Sequence, residues 1–194
     1  MEIVFVGAGR VATHLAKALY AGGHRITAVY SRTITSAEAL AGEVHATPSN
    51  RIDALPEKAD VFILSVKDSV LKDVISELRK GREQQVFLHT AGSIPMSVFG
   101  EHQHCGVFYP MQTFSKEQAV DFSRVHIFIE GRDAGALDLA RKVAETLSAN
   151  VHELNSSERR YLHLAAVFAC NFANHCYALS AQILEAHGLP FEIA

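Results

Sequence analysis

The chain has 194 residues, 48% of them hydrophobic, and a formal net charge of -3. That length allows one full domain with a real core and part of a second. The small charge and the lack of any basic run argue against nucleic acid or an anionic membrane as a partner.

Met1 runs directly into an apolar stretch, with no basic n-region and no signal peptide. Residues 2–6 form a short apolar run ended by glycine, which predicts a buried strand. Residues 11–20 have helical spacing, and Gly22-Gly23 breaks the helix. Residues 26–30 predict the next strand and 36–41 a short helix. Val61 to Val66 (V-F-I-L-S-V) reads as a strongly buried strand, followed by a helix over 70–78 that Gly81 ends. Further strands are expected at 86–89, 106–109, 125–129 and 150–154, with an amphipathic helix over 134–147. Apolar strands alternating with helices imply a mostly parallel, doubly wound α/β sheet covered on both faces.

The character changes after Leu154. Asn155, with Glu158 three residues on, has the form of a helix N-cap with its capping box. From Tyr161 to Leu184 there is no Asp, Glu, Lys, Arg, Gly or Pro. As one helix this stretch would be roughly 36 Å long. It is apolar all round, so it must be buried or span a membrane. His163, Asn171, Asn174, His175, Ser180 and Gln182 make a lipid span the poorer reading, so the helix is expected between domains or between subunits. Gly188-Leu189-Pro190 ends it. Residues 1–154 then form the doubly wound α/β domain, and 155–194 begin an all-α domain that is incomplete here, completed by a partner chain, or both.

The strongest motif is Gly7-Ala8-Gly9-Arg10-Val11-Ala12, which follows the first strand and opens the first helix. That is the context a G-x-G-x-x-(G/A) turn requires. Gly7 allows the tight turn, Gly9 a close approach to a pyrophosphate, and Ala12 close helix–strand packing. The helix N-terminus offers free N–H groups to the phosphates. NAD sites place Asp or Glu at the end of the second strand to bind the ribose 2′-OH. Here that position reads Tyr30-Ser31-Arg32-Thr33, with no carboxylate. Ser31 and Thr33 can donate hydrogen bonds, and Arg32 can fork onto a 2′-phosphate. The expected cofactor is therefore NADP. The alternative for Arg32 is a solvated surface residue.

Ligands of this fold lie outside the C-terminal strand ends. Ser65 and Val66 would lie beside the cofactor, with Asp68 capping the next helix. His89-Thr90-Ala91-Gly92-Ser93 puts a histidine, a hydroxyl and a glycine at the next strand end. Thr90 and Gly92 would line the nicotinamide side. His89 is either a general acid or a hydrogen-bonded core histidine. Tyr109-Pro110-Met111-Gln112-Thr113-Phe114 forms a loop over the same cleft, unless it only packs. On the long helix, His163, Cys170, Asn171 and Asn174 share one stripe. His163 and Asn171 are candidates to bind substrate, with His163 a second candidate acid or base. The other reading pairs these polar groups with a partner helix. His102-Gln103-His104-Cys105 and His175-Cys176 lack a zinc spacing, and no metal is expected. Cys105, Cys170 and Cys176 form no C-x-x-C pair and read as free thiols of a reducing, cytoplasmic compartment.

The series G-A-G-R-V-A, Y-S-R, L-S-V-K-D, H-T-A-G-S, Y-P-M-Q-T-F and Y-L-H-L-A-A-V-F-A-C-N-F resembles bacterial Rossmann-like proteins with a C-terminal helical domain of unknown function. These are provisionally labelled NADP oxidoreductases. They belong to the wider group of pyrroline-5-carboxylate reductase, 6-phosphogluconate dehydrogenase and 3-hydroxyisobutyrate dehydrogenase. The resemblance covers the whole chain and implies a homodimer through the helical domains. It also implies relatives that continue beyond residue 194 with more helices. Two departures matter. Tyr109 stands where the family often has His before proline. The hydroxyacid dehydrogenases carry a catalytic Lys four residues before an Asn. If that Asn is Asn171, Val167 holds the lysine position, so their proton transfer is not carried over. The function implied is NADP-dependent hydride transfer to or from a small carbonyl, imine or alcohol. The alternative is a non-catalytic NADP-binding sensor or assembly module.

Overall fold

The computed structural model describes residues 1–115 and 118–193. Eight strands form one sheet: β1 (Glu2–Val6), β2 (Arg25–Tyr30), β3 (Thr47–Ser49), β4 (Val61–Leu64), β5 (Phe87–His89), β6 (Cys105–Met111), β7 (His126–Gly131) and β8 (Val151–Glu153). Their order is β3-β2-β1-β4-β5-β6-β7-β8. The chain winds outward from β1 to β3, then crosses back to lay β4 on the other side of β1. A crevice opens where that order reverses, outside the strand ends.

All pairings are parallel except β6 with β7. A parallel return needs a crossover, usually a helix. Among the described residues of 112–125 there is only a single 3-10 turn, at Phe122–Arg124, and β7 turns back antiparallel. β3 was not expected. Pro48 at its centre masks it in the sequence, and it sits at the sheet edge, where proline is tolerated.

Helices α1 (Arg10–Ala21), α2 (Ile34–Glu43) and α4 (Ala134–Glu145) bury one core against one sheet face, around Phe5, Leu15, Ile63 and Ile127. Helix α3 (Asp68–Leu78) and the turn at Met96–Phe99 bury a second core on the other face, around Phe62, Leu71, Ile75 and Phe87. Asp68 is not a cap, contrary to expectation. Lys67 holds the N-cap position without a side-chain bond, and Asp68 accepts a hydrogen bond from Ser93 Oγ at 2.8 Å.

The C-terminal helix begins with the expected capping box. Asn155 Oδ1 accepts from the N–H groups of Ser157 and Glu158, and Glu158 accepts from the Asn155 N–H. It is not one uniform helix. α5 (Ser156–Ala166) passes through a π-helical segment, Val167–Phe172, into α6 (Ala173–Ala186). Leu189 N–H then donates to the Leu184 carbonyl across Gly188 and closes the end.

Arg159 pins α5 to the sheet. Its side chain is 1% exposed, ion-pairs with Glu130 on β7 and donates to the Ile94 carbonyl at 2.7 Å. Ser156 joins the same cluster, donating to Glu130 at 2.7 Å and accepting from the Met96 N–H. Farther along, the helix is bare: Tyr161, Phe168, Tyr177 and Ile183 are 58–71% exposed in the single chain. Among the described residues no helix is long and apolar enough to cross a membrane.

Candidate active site at the strand ends

The turn after β1 has the geometry its glycines imply. Gly7 has φ +121°, and its N–H donates to the Tyr30 carbonyl at 2.8 Å. A Cβ at Gly7 would sit 2.2 Å from the Ser65 carbonyl oxygen, so β1 and β4 close on this residue. At Gly9 a Cβ would meet nothing within 4 Å. That open space faces the start of α1, whose first N–H groups lack intrahelical partners. Ala12 is fully buried against the strands.

A cleft of about 350 Å³ spans this turn and the ends of β2 and β4. Gly7, Ala8, Gly9, Ser31, Arg32, Ser65 and Val66 line it, all of them expected there. Arg10 instead faces a neighbouring cavity with His14 and Lys17. Val11 packs against the core, and Thr33 is the N-cap of α2, its hydroxyl bonded to Ser36. Lys67, Val70 and Val74 also line the cleft and were missed. Lys67 starts α3, and the two valines are one helical turn apart. That signal was present in sequence but pointed only to helix packing. No carboxylate among the described residues pairs with Arg32. The cleft thus combines open space at a helix N-terminus, an apolar wall and a guanidinium with no carboxylate partner among the described residues. These features fit a dinucleotide carrying a 2′-phosphate.

The loop after β5 leads to a second cavity. Thr90 Oγ1 donates to Ser65 Oγ at 3.2 Å, tying that loop to the cofactor side. Two residues on, Gly92 presses on Tyr109 and His163, where a Cβ would fall 2.8 Å from Tyr109 Cζ and 2.5 Å from His163 Nδ1. Tyr109 Oη and His163 Nδ1 are 2.9 Å apart. The pair borders a cavity of about 320 Å³ closed by Met111 and Thr113 on one side and by Val167, Cys170 and Asn171 on the other. Asn174, expected on the same stripe, is exposed and outside this wall. The π segment has more residues per turn than an α-helix. It brings Cys170 and Asn171 onto the cavity and carries Asn174 past it.

His89 has no place in either cavity. It is 0% exposed, stacks on Phe99 and accepts from the Ala91 N–H through Nδ1. Burial is the main cause of a pKa lowered to about 3, with the Arg159 charge adding to it. It is a neutral core histidine at neutral pH, and the physical basis for its role as general acid is gone.

The chain matches two sequence families. Residues 2–91 match a family described as NADP oxidoreductase, coenzyme F420-dependent. Residues 125–194 match a domain of unknown function, DUF2520. No curated protein is significantly similar to the chain. Among solved structures, it is 47% identical to a protein from Bacteroides fragilis provisionally described as an NADP oxidoreductase, with TM-score 0.93 over 99% of this chain and 75% of that one. A protein from Thermotoga maritima is 26% identical, with TM-score 0.74 over 96% of this chain and 70% of that one. An imine reductase from Myxococcus stipitatus, in complex with NADP+, shares the fold at 18% identity, with TM-score 0.75 over 99% of this chain and 68% of that one. The chain belongs to the family of the Bacteroides fragilis protein, in which an NADP oxidoreductase Rossmann domain is joined to a DUF2520 C-terminal domain.

Proposed function

We propose that the protein is an NADP-dependent oxidoreductase acting on a small carbonyl, imine or alcohol. One observation carries this reading: a single loop links the two cavities, Thr90 bonding to Ser65 on the wall of the cofactor cleft and Gly92 abutting Tyr109 and His163 on the wall of the second cavity. Bound NADPH would supply a hydride from its nicotinamide. Gly7, Gly9 and the first N–H groups of α1 would hold the pyrophosphate, with Arg10 flanking it. Ser31 and Arg32 would hold the 2′-phosphate. Ser65, Val66, Thr90 and Gly92 would line the nicotinamide side. The substrate would occupy the cavity of about 320 Å³, facing His163 and Asn171.

Calorimetric titration with NADPH and with NADH tests this reading. NADPH should bind more tightly, and Arg32→Ala should weaken it by about 2 kcal/mol, roughly thirtyfold, as for a lost hydrogen-bonded charge contact. Preference for NADH would refute the roles of Ser31 and Arg32.

The same reading makes residues 155–194 a dimerisation and substrate element. The apolar side chains exposed on α5 and α6 exceed what a solitary helix surface normally shows. A second copy would cover them. Sedimentation should give twice the 21.2 kDa chain mass, and a monomer would overturn this point. The cytosol suits such an enzyme, because the exposed thiols of Cys170 and Cys176 persist in a reducing compartment.

A further inference from the structure

β1, β4, β5 and β6 are mutually parallel, so the C-terminal part of β6 lies on the same sheet edge as the phosphate-binding turn. Tyr109 stands there with 8% exposure, its ring edge-to-face with that of His163. His163 arrives from α5, which Arg159 anchors one helical turn earlier. Gly92 fits against both rings, leaving no room for a side chain. The pair is thus clamped from three elements and borders the second cavity, which the loop of Thr90 and Gly92 links to the cofactor cleft. The helix that carries His163 continues along this cavity as a π segment, a helix irregularity found often at functional sites.

We propose, on the oxidoreductase reading above, that Tyr109 is the catalytic proton donor. His163 is then the positioning residue that orients its hydroxyl and restores its proton. A phenol oxygen can accept one hydrogen bond while its own proton points elsewhere. With His163 Nδ1–H donating to Tyr109 Oη, the hydroxyl proton is free to face the cavity. As the substrate carbon receives the hydride supplied by the reduced nicotinamide, the C=O or C=N π bond breaks and its electron pair falls to the heteroatom. The Tyr109 O–H bond breaks, and its proton moves to that heteroatom. Half-buried His163 takes up a solvent proton at Nε2 as its Nδ1 proton passes to the phenolate, so the imidazole stays neutral, solvent supplies the proton consumed, and exchange with water restores the Nδ1–H tautomer. Burial raises the Tyr109 pKa, opposed by Arg159 and aided by Cys170, so the hydroxyl keeps its proton until it is needed.

The test uses the full chain with NADPH and two probes, a five-membered cyclic imine and an aliphatic 2-oxo acid. Tyr109→Phe should lower turnover about 100-fold while leaving NADPH affinity unchanged, the usual scale of lost general-acid catalysis. His163→Leu should lose about tenfold, and His163→Asn, which keeps a donor near the Nδ1 position, should recover part of it. Without cofactor or substrate, the ¹⁵N imidazole spectrum should show the His163 Nδ1 resonance move in Tyr109→Phe and stay in place in Cys170→Ser. Full turnover in Tyr109→Phe, an unmoved Nδ1 resonance, or no turnover of either probe by protein that binds NADPH overturns this inference. Failure to bind NADPH overturns the underlying oxidoreductase reading instead.

Discussion

The two cavities at the sheet edge are assembled by opposite means. The cofactor cleft takes its floor from one continuous turn, Gly7-Ala8-Gly9, and its walls from the ends of two neighbouring strands. The second cavity depends on Tyr109 and His163, 54 residues apart, brought together by an ion pair on a third element. A cofactor shared by many enzymes can be held by a local backbone motif, because pyrophosphate needs only N–H groups and space. The particular chemistry needs side chains of fixed relative position, which only long-range packing supplies.

Breaking each cavity separately should sharpen that contrast. The largest effect is expected from Arg159→Ala. It leaves the largely buried Glu130 carboxylate without its cation, with only the Ser156 hydroxyl still donating to it, and should cost about 3 kcal/mol of stability, the lower end for a broken buried pair. Urea denaturation measures that cost, and the Tyr109–His163 contact should loosen with it. A loss below about 1 kcal/mol would show that α5 is held by its apolar contacts alone. Gly7→Ala comes next. The added Cβ overlaps the Ser65 carbonyl at a positive φ, and should lower stability by about 3 kcal/mol, the upper end for local backbone strain. NADPH binding should vanish with it, while the ¹⁵N signature of His163 in the second cavity persists. If NADPH affinity survived, the pyrophosphate would have to lie elsewhere.

His89 gives the smallest effect, and a pH-dependent one. Its folded pKa of about 3 lies below the ordinary value of 6.5. Between those values the unfolded chain binds a proton that the folded chain refuses. Stability is therefore undiminished above pH 6.5 and falls as pH drops toward 3. From pH 6.5 to pH 5 the loss should be about 2 kcal/mol. Thermal melts of the parent chain and of His89→Leu, compared across that range, check it. The variant should show a flatter slope, and an unchanged slope would assign the effect to His24 or His102, whose pKa values burial also lowers.

Much of the fold was legible because its signals are local. The antiparallel return of β7 could also have been read, since the segment between β6 and β7 is short for a crossover helix with its connecting turns. The π segment could not, as nothing in V-F-A-C-N-F departs from ordinary helical spacing. Lys67, Val70 and Val74 were readable as a helix start and an apolar face. Their place on the cofactor cleft depends on where α3 sits against β1 and β2.

By itself the sequence determined the strand–turn–helix of the phosphate site, the missing acidic ribose ligand and the capping box at Asn155. Each depends on backbone geometry or hydrogen bonds within a few residues. Tertiary structure alone gave the two candidate histidines different surroundings. His89 and His163 have the same side chain, and both lie near candidate polar groups in the sequence. One is sealed under Phe99, where charging it would cost its whole hydration. The other is carried by α5 to a phenol at the mouth of a cavity. Burial and partner, not residue type, separate a core histidine from one that can move a proton, and both are set by the packing of distant elements.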